Sequence, residues 1–133
     1  MPHAMNVREY TDADLDELRA MHASQRFAYA FPDVSDPLFV VRQIVEDGGR
    51  PRMAALLRLT AETYLLADPA DGSPRERWDW LEALHESTLR AAAARGLADV
   101  QAFVPPRIGR AFGRRLETLG WRHDPWSCYT RLV

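Results

Sequence analysis

The sequence predicts an α+β (mixed α/β) domain, with a central, mostly antiparallel mixed sheet and helices on both faces. Two observations predict it. Short β-rich runs separated by turn residues alternate with amphipathic helical patterns. A strand-like run ending at Ala67 leads through a loop into the strongest helical pattern of the chain, residues 78–94. This strand, loop and helix order is where α/β proteins hold phosphates.

The first elements are a strand and a helix. A strand is expected at residues 7–10, and Thr11 then suits a helix N-cap because Asp12 and Asp14 fall in the first turn. Residues 26–38 are rich in aromatics and broken by two prolines. That segment predicts either a short second helix with loops or an irregular flap.

The remaining elements follow from turn and periodicity signals. The run 46–50 contains two glycines and predicts a hairpin turn. Gly96 predicts the end of the long helix. The expected strands are 39–45, 53–59, 63–67, 99–104 and 126–133, and the expected further helices are 78–94 and 108–119.

Composition bounds the class of protein. The 133 residues predict a single domain, 1–133, with residues 1–5 as a disordered N-terminus. The net charge of −2 provides no overall field for nucleic acid, so no nucleic-acid partner is expected. No run approaches the ~18 apolar residues of a membrane span, so no membrane partner is expected.

The numbers of lysine, cysteine and histidine residues limit the kinds of reaction and binding site that the sequence can provide. All 17 basic residues are arginines, so this sequence offers no lysine for a Schiff base, general base or phosphate ligand. The lone cysteine, Cys128, and the lack of a signal-peptide pattern predict a cytoplasmic location. The four histidines share no ligand spacing, so no metal site is expected.

Two motifs carry a resemblance to a known family. Leu66-Ala67-Asp68-Pro69 is followed nine residues later by the helical run that begins at Trp78. The run 112–121 ends in Leu119-Gly120-Trp121. In order and spacing, these motifs resemble strand 4, the pyrophosphate loop, helix 3 and the end of helix 4 of the GNAT superfamily of N-acetyltransferases. The resemblance covers nearly the whole chain.

The resemblance implies a co-substrate and a reaction. Acetyl-CoA or another acyl-CoA would lie between strands 4 and 5, and a small-molecule or peptide amine would attack its thioester directly. The backbone of Leu65, Leu66 and Ala67 would hold the pantetheine arm. The residues expected at the pyrophosphate are Gly72, Ser73, Arg75 and Arg77.

This loop departs from the family pattern, Gln/Arg-x-x-Gly-x-Gly/Ala. In a gapless match the family's arginine falls on Gly72, and its last two glycines fall on Arg75 and Arg77. Glycine allows close approach of backbone to pyrophosphate, so arginine charge would have to replace that geometry. The family's proton-donating tyrosine falls on Leu116, which has no proton to donate.

Two side chains are candidates for proton transfer. Glu62 opens the expected fourth strand, where the resemblance implies a general base for the acceptor ammonium. The alternative for Glu62 is a turn carboxylate. Tyr129, on the expected last strand, is a candidate donor to the leaving thiolate, and its alternative is a half-buried strand aromatic.

Two functions remain open at this point. The first is an acyl-CoA-dependent N-acetyltransferase or acyltransferase. The second is a non-catalytic GNAT-like binding or assembly module that has lost its CoA loop. A homodimer is a further alternative, with the aromatic-rich segment 27–39 and Trp126 as its candidate interface.

Overall fold

The computed structural model describes residues 4–133, and the chain divides into two compact units. One unit ends at Thr60, and the other spans Ala61–Val133. The architecture is mixed α/β, with an antiparallel sheet, a parallel strand pair and helices. The single domain stays a prediction. The disordered N-terminus at residues 1–5 also stays a prediction, and its residues 1–3 lie outside the described part.

An antiparallel three-stranded sheet organises the first unit. Its strands are β1 (Asn6–Glu9), β2 (Phe39–Asp47) and β3 (Arg50–Arg58), in the order β1-β2-β3. Gly48 and Gly49 join β2 to β3 with φ values of 67° and 72°. Two successive positive φ values suit the two-residue hairpin turn that glycine favours, so the predicted hairpin is confirmed.

The first helix packs beside this sheet over a small core. A 3-10 turn (Asp12–Asp14) leads into α1 (Leu15–Gln25). The buried apolar side chains are Tyr10, Leu18, Val34 and Ile44. Leu18 comes from helix α1, and Ile44 comes from the central strand β2. This arrangement buries both elements against one another.

An ion-pair network ties the start of α1 to the sheet. The Arg8 guanidinium donates to both Asp14 carboxylate oxygens at 2.7 and 2.8 Å, and to Glu46 at 2.7 Å. Asp14 also accepts the backbone N–H of Thr11 at 2.8 Å. The hydrogen bonds from Arg8 lower the pKa of Asp14 to about 2 despite its burial. Asp14 therefore stays ionised in a buried position because its charge is paired.

The second unit contains a short parallel strand pair and two long helices. Strand β4 (Ala61–Thr63) pairs with β5 (Val100–Ala102). Helix α2 (Pro74–Ala94) follows β4, and helix α3 (Pro106–Thr118) follows β5. Both helices begin with proline, whose fixed φ and missing N–H suit the first helical position.

Several predicted elements are wrong in extent or existence. The strand expected at 63–67 lies at Ala61–Thr63, and the strand expected at 99–104 covers only Val100–Ala102. Residues 126–133 form no strand. Of the two alternatives for residues 26–38, the irregular segment is the one observed, without a helix. Alternating side chains predict strand character, but a strand also needs a partner ladder, which 126–133 does not have here.

Candidate functional site

A cavity of about 590 Å³ lies in the second unit where β4 and β5 stop pairing. The two strands pair from Ala61 opposite Val100 to Thr63 opposite Ala102. Beyond this point, residues 64–68 and 103–105 belong to no strand. Large apolar side chains from both strand ends and both helices line the cavity: Leu65, Leu81, Leu84, Leu89, Phe103, Ile108, Phe112, Leu116 and Leu119.

The helix periodicity explains this lining. Ile108, Phe112 and Leu116 recur every four residues on α3, so they lie along one face of the helix. Leu81 and Leu84 lie three residues apart on α2, so they also share one face of their helix, and both line the cavity. Leu84 nevertheless remains 54% exposed. The helices therefore leave an open apolar space between them of the size that small-molecule ligands occupy.

A carboxylate and a phenol stand together at the wall of this cavity. Glu62 on β4 and Tyr64 just beyond it both line the cavity. The Glu62 carboxylate, by side-chain hydrogen bonding and by its charge, raises the pKa of the Tyr64 hydroxyl. Residues two apart in an extended chain share a side, which brings the two groups together. Sequence reasoning missed Tyr64. Its only signal in the sequence is its position two residues after Glu62 in an extended segment.

A histidine and a tryptophan form a second polar pair at the cavity. The Trp121 indole Nε1 donates to His85 Nε2 at 2.8 Å, and the ring centroids lie 6.0 Å apart. Because an indole N–H can only donate, Nε2 of His85 is the acceptor in this pair. The helical pattern identifies His85 as an inward residue. Nothing in the sequence signals its partner, which is 36 residues away.

The loop before α2 is closed by its own hydrogen bonds. The backbone N–H of Glu76 donates to Ser73 Oγ at 3.1 Å, and the backbone N–H of Ser73 donates to the Glu76 carboxylate at 3.0 Å. These bonds lower the pKa of Glu76. Pro74 has no N–H to offer. This capping box already supplies the first turn with a negative group, at the position where the sequence predicts a phosphate.

Both loop arginines also have partners within the unit. Arg77 Nη1 donates to the backbone carbonyl oxygens of Asp68 at 2.6 Å and Asp71 at 3.0 Å. Arg75 forms an exposed ion pair with Asp79 at 3.3 Å. Both arginines belong to α2, because the helix begins at Pro74 and not at the predicted Trp78. The Arg77 side chain therefore links the start of α2 to the backbone of the loop, and this pair of hydrogen bonds is called the Arg77 brace.

Gly72 closes the same loop against a tryptophan. Its φ is +78°, and a Cβ atom at this position would lie 2.6 Å from the Trp80 ring. Glycine is therefore required here by both backbone conformation and space. The ring covers the backbone that the predicted pyrophosphate would have to approach.

The predicted site residues divide between the cavity and other surfaces. Glu62 and Leu65 line the cavity. Leu66, which is 89% exposed, and Ala67 lie outside the cavity lining, as do the loop residues Gly72, Ser73, Arg75 and Arg77. Tyr129 is 94% exposed and borders a wider cleft of about 1230 Å³, so this structure does not bring it to Glu62. The roles assigned to all these residues stay predictions.

Within residues 4–133, no group of three or more histidine, cysteine, aspartate or glutamate side chains is arranged to hold a metal ion. Across the same residues, every helix is too short or too polar to cross a bilayer.

Comparison with known proteins finds a local likeness to a kinase. No protein-family model matches the chain. No solved structure matches it. The tetraacyldisaccharide 4'-kinases of Bordetella parapertussis and Bordetella bronchiseptica are each 38% identical to it over 73 residues. The match covers 55% of this chain but only 18% of each kinase. The chain therefore spans a small part of the length of these relatives, and the likeness is to that part.

Proposed function

We propose that this chain is a GNAT-type N-acyltransferase, which moves an acyl group from a pantetheine thioester such as acyl-CoA to an amine. The observation that carries the proposal is the apolar cavity at the point where the parallel strands β4 and β5 diverge. Residues 64–67 lie outside any strand ladder there, so their backbone groups are available to the amides of a pantetheine arm. The apolar lining suits the acyl chain.

The paired groups Glu62 and Tyr64 supply the proton transfers in this proposal. The Glu62 carboxylate accepts a proton from the acceptor ammonium, and the freed amine attacks the thioester carbonyl carbon. A C–N bond forms, the C–S bond breaks, and the Tyr64 hydroxyl protonates the leaving thiolate. The nitrogen loses its second proton to water as the amide forms, and the proton taken up by Glu62 returns to Tyr64, so both groups regain their starting states. Tyr64 thus replaces the more distant candidate, Tyr129.

The non-catalytic module remains the second candidate function. It is favoured by the capping box of Ser73 and Glu76 and by the Arg77 brace, which together occupy the loop where the cofactor phosphates would bind. A module of this kind keeps the apolar cavity as a ligand or peptide site and has no thioester chemistry.

The kinase activity of the matched relatives is not carried over to this chain. The likeness covers only 18% of each kinase. In addition, a phosphate loop of the type Gly-x-x-x-x-Gly-Lys-Ser/Thr needs a lysine, and all 17 basic residues of this sequence are arginines. The proposal therefore rests on the cavity and its polar pair.

The experiment that tests acyl transfer is a thiol-release assay. Acetyl and octanoyl thioesters of CoA and of pantetheine are offered with a panel of small amines and short peptides. We expect Glu62→Gln to lower kcat/KM by about 10²-fold and Tyr64→Phe to lower it by about tenfold, since general acid–base catalysis has effects of this order. Glu82→Gln, an exposed change on α2, is the matched control.

Two outcomes would contradict the proposal. If no donor releases thiol and none binds in calorimetry, the non-catalytic module becomes the better reading. If thiol release is equally fast in Glu62→Gln and in the Glu82→Gln control, the assigned proton acceptor is wrong.

A further inference from the structure

We infer that the acyl donor comes to this site on the phosphopantetheine arm of an acidic carrier protein, with no nucleotide. This inference rests on the proposed acyl transfer and names its substrate class. Two separate features lead to it: the occupied loop before α2, and an unpaired arginine stripe on α3.

The loop before α2 disfavours the nucleotide half of CoA. A pyrophosphate would have to displace the Glu76 carboxylate from the N–H of Ser73 and draw Arg77 from two backbone carbonyls. It would also meet the ring of Trp80 over Gly72. Because these contacts are already formed within the chain, a pyrophosphate would have to break them before it could bind. Its charge alone would therefore add little net binding free energy. A pantetheine arm without the nucleotide has no need of this loop.

The face of α3 opposite the apolar cavity carries a stripe of three arginines without ion pairs among the described residues, and Arg110 and Arg114 border the wider cleft of about 1230 Å³. Arg107, Arg110 and Arg114 recur three and four residues apart, so they share one face, and all three are exposed. No carboxylate of residues 4–133 lies within ion-pair distance of any of them. On α2, by contrast, the exposed residues Arg75 and Arg90 each have a carboxylate four residues away.

The stripe and the cavity lie on opposite faces of one helix. Ile108, Phe112 and Leu116 line the cavity, roughly half a turn from the arginines. Val104 and Pro105, which immediately precede α3, also line the cavity. An acidic partner bound to these arginines would therefore lie next to residues 104–105. The phosphopantetheine arm of the partner would enter the cavity at this strand end.

The charge pattern selects a protein partner of negative surface. Three unpaired guanidinium groups on one helical face complement a row of carboxylates and steer association electrostatically. Stacking aromatics, which single-stranded nucleic acids need, are not interleaved with them, because Phe112 faces the cavity. In the transfer step the amine forms its C–N bond, the C–S bond breaks, and the protonated thiol stays on the arm of the carrier.

The experiment compares three octanoyl donors on the full chain. They are octanoyl-CoA, octanoyl-pantetheine and an acidic acyl carrier protein loaded with octanoyl-phosphopantetheine. We expect kcat/KM for the first two to agree within about threefold, and the carrier protein to exceed both by about tenfold or more. This advantage should shrink between about 0.05 M and 0.5 M NaCl, because exposed charges are screened.

A charge-matched pair of variants locates the docking face. Arg107→Ala/Arg110→Ala/Arg114→Ala should remove about tenfold from kcat/KM with the carrier protein. Arg50→Ala/Arg90→Ala/Arg95→Ala, with the same net charge, should keep the carrier advantage. Circular dichroism checks the fold of both, and Arg110→Glu alone serves if the triple variant does not fold.

The inference and the proposed function fail in different ways. Octanoyl-CoA exceeding octanoyl-pantetheine by about tenfold would overturn the inference while leaving acyl transfer intact. A carrier advantage that survives in the α3 variant, or that is absent from the start, would also overturn it. Release of thiol from no donor would overturn the proposed function, and the inference with it.

Discussion

The two units of the chain differ in where they place their side chains. Among residues 4–133, the five buried residues all belong to the first unit: Tyr10, Asp14, Leu18, Val34 and Ile44. Residues 61–133 contain no buried residue, and their apolar side chains surround an open cavity. The first unit is built as a closed core, whereas the second is built around a space. A close-packed core tolerates few changes in side-chain volume, whereas an open apolar space can hold a ligand.

The ion pairs of the two units differ in the same way. In the first unit Arg8 joins Asp14 and Glu46 in a partly buried network. In the second unit the pairs Arg75–Asp79 and Arg90–Glu86 are solvent-exposed along α2. Exposed helical pairs contribute only about 0.3–0.5 kcal/mol each. Electrostatics therefore supports the fold of the first unit and mainly shapes the surface of the second.

Truncating the core should produce the largest effect. Ile44 is 0% exposed on the central strand, so Ile44→Ala should lower the free energy of unfolding by about 2–5 kcal/mol. The same kind of truncation in the second unit, Leu84→Ala, should cost less than about 1.5 kcal/mol, because Leu84 is 54% exposed. Urea unfolding measures both. Equal costs would show that the second unit has a closed core after all.

An added methyl group tests whether the loop of the second unit is rigid. Gly72→Ala should cost about 1–3 kcal/mol, since it combines a positive φ with a clash against Trp80. Gly96→Ala is the matched control, because Gly96 has the same φ of +78° and no neighbour within 4 Å. Thermal unfolding of the two variants and the unmodified chain gives the difference. If both variants lose the same stability, the Trp80 contact is not formed in solution.

Acid titration tests the ion-pair network of the first unit. The pKa of Asp14 is lowered to about 2 in the folded chain from an ordinary 3.8, so its stabilising effect is complete above about pH 5 and is lost as the pH falls towards 2. Asp14→Asn should therefore cost about 1–2 kcal/mol at pH 7 and clearly less at pH 2, where about half of the folded carboxylates are protonated. Glu17→Gln, an exposed change, is the control. A cost that does not vary with pH would contradict the paired carboxylate.

The parts of the site region that could be predicted from the sequence are those set by a few neighbouring residues. The helix ending at Gly96 and the hairpin at Gly48 and Gly49 were predicted because each depends on the conformational freedom of glycine. The start of α2 was misplaced although its signal is local: Ser73-Pro74-Arg75-Glu76 has the capping-box spacing. Giving that spacing its full weight would have placed Glu76 in the first turn of α2, in the position predicted for a phosphate.

The sequence by itself determined the mixed α/β class, the hairpin and the two long helices, since these depend on interactions within a few residues. Only the tertiary structure decided where β4 pairs with β5, that Trp121 donates to His85, and that residues 126–133 form no strand. Strand pairing and side-chain partners depend on contacts between distant residues. Several pairings suit the same local pattern, and only the packed chain selects among them.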